Sequence, residues 1–176
     1  ITPDQIIVST SKGLESKTLK RMSEVIREEI NTISEKNIIA LYGPSHAEEV
    51  IKKFPTAIVA ASQDIENAQK VQSIFSSEIL RVYTNKDIVG VELGGSLKNV
   101  IAIGVGMCDG VGFGDNTKSA IITRGMAEII RLGVAMGARK ETFSGLSGIG
   151  DMIATCLSKH SRNRYVGESL GKGKSL

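Results

Sequence analysis

The sequence predicts an α/β fold joined to an all-α one: a mainly parallel sheet with helices packed on it, followed by a helical domain. Short β-rich apolar runs alternate with amphipathic segments as far as about residue 86, the pattern of βαβ units. From Asp87 onward such runs stop and long helical patterns replace them. Between Lys98 and Asp109 stand ten uncharged residues, Asn99 to Cys108, apolar on every side as a core segment is. The change of pattern sets two domains, residues 1–86 and 87–176.

Taken in order, Ile6 to Thr10 is a first strand, followed by Ser11-Lys12-Gly13. Leu19, Met22, Ile26, Ile30 and Ile33 recur at steps of three and four and predict a helix. Ile38 to Tyr42 is a second strand, ending at Gly43-Pro44-Ser45, and a short helix with early acids follows from His46. Thr56 to Ala61 is a third strand. Asp64 then caps a helix carrying Ile65, Ala68, Val71 and Phe75. Ile79 to Thr84 is a fourth strand, at an edge. Residues 88–108 and 118–138 predict long helices, and Asp151–Ser158 and Arg162–Leu170 two shorter ones. In sheets of this kind the loops after the strands line the ligand crevice. That draws attention to Ser11-Lys12-Gly13 and Gly43-Pro44-Ser45, although both also suit ordinary turns.

Composition narrows the function classes. Hydrophobic residues make up 41% and charged ones 23% of the 176 residues, as in ordinary globular proteins. A net charge of +3, aromatics at 4% and no Trp argue against nucleic acid and base stacking. The longest uncharged apolar run is shorter than the ~20 residues of a membrane span, and no charged-then-apolar leader opens the chain. The expected location is the cytoplasm, with Cys108 and Cys156 buried and reduced. No CxxC and no gathered histidines occur, so no metal site is expected.

Lys98 stands at the entrance of the apolar segment. It could lay its stem on apolar surface and keep its head in water. Alternatively it is a general acid/base, its pKa lowered by burial and nearby cations. Gly104-Val-Gly106 followed by Gly110 imitates a dinucleotide fingerprint, but the third glycine comes one place late and no helix–strand–acid pattern follows. Those glycines are read as allowing close helix packing and a bend near Asp109–Asn116. Ser161-Arg162-Asn163-Arg164 precedes a helix, where free N–H groups, a hydroxyl, a guanidinium and an amide suit a phosphate; simple capping by Ser161 explains it equally well. Asp151, at another glycine-flanked helix start, is either a cap or a carboxylate that orients a substrate or holds Lys98. His46 and His160 are acid/base residue types without a distinguishing context.

Together, Ser9-Thr10-Ser11-Lys12-Gly13, GPSHAEE (Gly43 to Glu49), VELGGSLKNVIAIGVG (Val91 to Gly106), GIGDM (Gly148 to Met152) and SRNR (Ser161 to Arg164) resemble the bacterial NAD(P)-dependent glycerol-3-phosphate dehydrogenases in order and spacing. The resemblance implies reduction of dihydroxyacetone phosphate to sn-glycerol 3-phosphate with NADPH or NADH, feeding phospholipid synthesis. It implies that residues 1–86 are the C-terminal part of a Rossmann-like dinucleotide-binding domain and 87–176 a helical substrate domain. Lys98 would be the catalytic proton donor and acceptor. Lys12, Gly43, Ser45, Lys98, Asp151, Ser161, Arg162 and Asn163 would line the substrate site, and Lys12, Ala47 and Arg162 would touch NADP or NAD. The partners implied are a small phosphorylated triose and a second copy of the chain, as a homodimer. The family opens with a strand and a GxGxxG-type loop, and this chain opens at Ile1 without one. The expectation is therefore a chain truncated at both ends and catalytically inactive by itself. Two rivals stand beside this reading: another two-domain NAD(P)-dependent dehydrogenase with a lysine acid/base, and a non-catalytic oligomerisation module.

Overall fold

A computed structural model describes residues 2–175; Ile1 and Leu176, the outermost positions of the two expected domains, lie outside the described residues. The chain runs β1 (Ile7–Ser9), α1 (Met22–Glu29), β2 (Ile38–Tyr42), α2 (Ala47–Val50), β3 (Thr56–Ala61), α3 (Ile65–Phe75), β4 (Leu80–Asn85), α4 (Ile88–Val111), α5 (Asp115–Ala135), α6 (Asp151–Leu157) and α7 (Arg162–Gly171). β2, β3 and α3 fall on the expected residues. The Asp64 carboxylate caps α3 by accepting the Glu66 N–H.

The strands lie in the order β1-β2-β3-β4. Side chains alternate across a strand. Ile39, Leu41, Ile58, Ala60 and Val82 therefore meet Val71 of α3 on one face. Ala40, Tyr42, Val59 and Ala61 meet Ile88 and Val91 of α4 on the other. The α/β class stands, but the sheet is mixed rather than mainly parallel. β1–β2 and β3–β4 are parallel pairs, whereas β2 and β3 run antiparallel, with Ala40 opposite Ala61 and Tyr42 opposite Val59. The connection explains it. A parallel crossover is usually carried by a helix that spans the sheet, and α2 has only 4 residues, about 6 Å of rise.

The first helix is shorter than its apolar period suggests. Upstream, the Glu15 carboxylate accepts the Lys17 N–H, the Thr18 N–H and the Thr18 hydroxyl. The chain turns there, a bridge pairs Leu14 with Arg21, and Leu19 sits exposed at φ 58°. Downstream, Ile33 is fully buried beyond the helix end. Its side chain follows the apolar pattern while its backbone does not.

α4 is the axis of the molecule. At 24 residues it is long and apolar enough to cross a membrane by length and composition, yet more than half of its most apolar 18 residues are buried inside the fold. Its first turns pack on the sheet. Farther along, Leu93, Ala102 and Val105 join Met126 and Ile129 of α5, Phe143, and Met152 and Cys156 of α6 in a second core. Glycines on α4 and α7 let the backbones touch: a Cβ on Gly106 would lie 2.0 Å from the Arg164 carbonyl oxygen, and one on Gly167 2.0 Å from that of Ile103. α4 ends at Gly112 in the left-handed region (φ 89°), where the Gly112 and Phe113 N–H groups both return to the Cys108 carbonyl. This is the expected bend, and α5 begins at Asp115 just past it.

A candidate active site around Lys98 and Asp151

Lys98 is the eleventh residue of α4, in its third turn rather than at its start, and is 6% exposed. Its head is not in water, so the snorkelling alternative fails. The apolar sequence around it builds a helix that the fold encloses, and a buried ammonium needs partners. It has two: Lys98 Nζ lies 2.8 Å from Asp151 Oδ1 and donates to the Thr155 hydroxyl. Thr155 is itself buried and donates to the Asp151 carbonyl at 2.7 Å, so its oxygen is oriented to accept from the lysine. An ammonium has three donors, which leaves one N–H of Lys98 unused by these contacts.

The other oxygen of Asp151 is held by a second cation. Lys12 Nζ, from the loop after β1, lies 2.6 Å from Asp151 Oδ2 and donates to the Gly43 carbonyl at 3.2 Å. Gly43, the residue after β2, has φ 152°, and a Cβ there would lie 2.8 Å from Ile58 Cα; only glycine fits there. One carboxylate, 3% exposed, thus bridges two ammonium groups delivered by loops and helices 139 and 53 residues away in sequence. The cluster carries a net positive charge of one. Burial pushes the Lys98 pKa down, Asp151 opposes that shift, and Lys12 adds to it; the net direction is downward.

The expected residues do not all converge. Lys12, Gly43, Lys98 and Asp151 form one connected cluster. Ser45 is exposed and turns its hydroxyl to the Gly43 carbonyl at 3.3 Å, so it belongs to the same loop. Ala47 is exposed at the first position of α2. Ser161 is 4% exposed and caps α7, its hydroxyl accepting the Arg164 N–H at 3.2 Å. Arg164 ion-pairs with Asp109 at 2.5 Å, a packing role between α7 and α4. Arg162 is exposed and Asn163 half-buried, and neither side chain has a hydrogen-bond or ion-pair partner among the described residues. Contacts advance together along the two helices, Gly106 with Arg164 and Gly110 with Glu168 and Gly171. The start of α7 therefore lies toward the Lys98 half of α4. His46 Nε2 lies 3.3 Å from the Ala154 carbonyl, and the rings of His46 and His160 are 6.2 Å apart; neither bonds to the lysine–carboxylate cluster. Thr155 was not anticipated. The available signal was its spacing of four from Asp151, which places both on one helix face.

Comparisons with known proteins show which family the chain resembles. Residues 87–176 match the profile described as the NAD-dependent glycerol-3-phosphate dehydrogenase C-terminus, and residues 1–68 match that of the N-terminus. A relative from Chlorobium limicola named glycerol-3-phosphate dehydrogenase (NAD(P)+) is 57% identical over 172 residues, covering 98% of this chain and 52% of its own. One from Salinibacter ruber is 55% identical over 174 residues, covering 99% and 51%. Among solved structures, the Coxiella burnetii glycerol-3-phosphate dehydrogenase superposes with a TM-score of 0.90 at 38% identity, over 96% of this chain and 51% of that one. The Saccharomyces cerevisiae glycerol-3-phosphate dehydrogenase gives 0.84 at 30% identity, over 96% and 50%. The chain spans about half the length of the curated relatives it matches. With one family's two profiles falling in order along the chain, and with the fold of its solved members, this chain belongs to the NAD-dependent glycerol-3-phosphate dehydrogenase family.

Proposed function

We propose that the protein interconverts dihydroxyacetone phosphate and sn-glycerol 3-phosphate with NADH or NADPH, in the service of phospholipid synthesis. The observation that carries this reading is the buried carboxylate of Asp151 held between Lys98 and Lys12. A ketone becoming an alkoxide needs a proton and nearby positive charge, and this cluster supplies both. Lys98, with one N–H free of partners among the described residues and its pKa lowered, donates the proton to the C2 oxygen and takes it back in the reverse direction. Asp151 and Thr155 fix the direction of that ammonium. Lys12 faces the same carboxylate and keeps the cluster cationic.

Gly43 and Ser45 form the adjoining wall of the substrate site. Ser161, Arg162 and Asn163 hold the phosphate at the start of α7: the helix end offers free N–H groups, and the side chains of Arg162 and Asn163 add a guanidinium fork and an amide. The dinucleotide is assigned to Lys12, Ala47 and Arg162 by the family resemblance; of these, Ala47 and Arg162 are exposed, at the starts of α2 and α7. When bound, that cofactor supplies the hydride. Residues 1–86 serve as the cofactor-facing domain and 87–176 as the substrate domain. The protein works in the cytoplasm as a homodimer.

The test measures NADH and NADPH oxidation by the full-length protein with dihydroxyacetone phosphate. Lys98→Ala is expected to lower kcat by about 10²–10⁴-fold, the usual contribution of a positioned acid/base, with the melting transition retained. A Lys98→Ala protein as active as the unsubstituted one sinks the assignment.

A further inference from the structure

Lys12 reaches the cluster from a loop, and loops do not hold an ammonium in place unaided. The loop is tied down by residues outside the substrate site. Tyr42, 1% exposed at the end of β2, donates its hydroxyl to the Ser11 carbonyl. Its ring lies 5.7 Å from Lys12 Nζ. On the far side, the Gly13 N–H donates to Ser96 Oγ at 2.9 Å, and Ser96 donates to the Glu92 carbonyl at 2.7 Å. Gly95 is what leaves room for the ring. A Cβ there would lie 2.8 Å from Tyr42 Cδ2 and 3.5 Å from Lys12 Cδ, so α4, the ring and the lysine stem share one packed corner.

We propose that Tyr42 is a positioning residue: its hydroxyl and ring set where the Lys12 ammonium stands relative to Asp151 and Lys98. The chemistry suits the task. Burial, with Glu92 nearby, pushes the Tyr42 pKa above its ordinary value while a hydrogen bond with Ser9 opposes it, so the phenol stays a neutral donor across working pH. Lys98 is faced by Asp151, Thr155 and Cys156 from α6 and by Lys12 from the β1 loop. Of these, Lys12 is the one group whose placement Tyr42 governs. Loosening Lys12 weakens its repulsion of the Lys98 proton, which raises the pKa of Lys98.

This inference rests on the proposed function, and Tyr42→Phe tests it in the full-length enzyme. The KM for dihydroxyacetone phosphate is expected to rise roughly three- to tenfold, the worth of one net hydrogen bond. The alkaline limb of the kcat profile for ketone reduction is expected to move to higher pH, because Lys98 then keeps its proton longer. A KM or an alkaline limb that stays where it is in the unsubstituted enzyme overturns the positioning role, since lost packing alone would not move the limb. If Tyr42→Phe does not melt cooperatively, Gly95→Ala, which crowds the same ring from α4, is read by the same two quantities. Absence of turnover in the unsubstituted enzyme overturns the proposed function and this inference with it; turnover there with an unchanged variant overturns only the role of Tyr42.

Discussion

Glu92 is the second buried charge on α4 besides Lys98. It is 1% exposed. Its carboxylate accepts from Arg21 Nη1 at 2.7 Å, from the Ser23 N–H at 2.8 Å and from the Ser23 hydroxyl at 2.6 Å. Removing it leaves the buried Ser23 N–H without its acceptor and leaves Arg21 paired with Glu24 alone, at 3.0 Å, so Glu92→Ala is expected to lose about 1–3 kcal/mol in urea unfolding. Cys156 titrates in a way that can be read directly. Burial pushes its thiol from the ordinary 9.0 up to about 11, with Lys98 opposing. Between those values the unfolded chain has lost the proton and the folded chain keeps it, so Cys156 makes stability fall as pH rises through that window. Lys98 acts in the opposite sense: its lowered folded pKa makes stability rise with pH up to its unfolded value. Comparing unfolding curves of the unsubstituted protein and Cys156→Ala across pH 9 to 11 is expected to isolate a falling term on the order of 2 kcal/mol. A difference that grows with pH in the other sense contradicts the assignment.

Among elements, the pair α4–α7 is the tightest, and its glycines are not equivalent. Gly106, Gly110, Gly167 and Gly171 each face backbone of the opposite helix, with a Cβ falling 2.0–2.4 Å from a carbonyl oxygen. Backbone cannot swing aside as a side chain can, so Gly106→Ala and Gly167→Ala are each expected to cost about 1–3 kcal/mol. They also displace the start of α7, which carries Arg162 and Asn163. Gly104 sits on the same helix, but a Cβ there meets only Ile121 Cγ2, at 3.8 Å. Gly104→Ala is expected to stabilise by up to about 1 kcal/mol through helix propensity alone. Thermal melts of the three variants check this, and equal losses at Gly104 and Gly106 would show that the α4–α7 approach is not what matters.

At the scale of the whole molecule, α4 belongs to both cores: Ile88 and Val91 pack on the sheet, and Leu93, Ala102 and Val105 in the helical cluster. A helix shared in this way couples the two halves, so heat or denaturant is expected to give one cooperative transition; two separate transitions would show that the sheet and the helical bundle stand independently. Most of this architecture was legible beforehand. Local propensity placed β2, β3 and α3, since their apolar periods and the Asp64 cap agree with one another, and the charge-free stretch after Lys98 announced a buried helix. The antiparallel β2–β3 pair was not legible, because strand direction depends on how a connection crosses the sheet rather than on the strand residues. The early end of α1 was missed as well: Ile30 and Ile33 keep the helical period in their burial after the backbone has left the helix. The sequence by itself determined the alternation of strands and helices, the core helix and the residue types of the candidate site, because these follow from side-chain chemistry and spacing along one segment. Only the tertiary structure decided that Asp151 stands between Lys12 and Lys98, that Thr155 meets Lys98 while the Tyr42 ring flanks Lys12, and that Arg164 pairs with Asp109, because each depends on which distant segments the fold brings together.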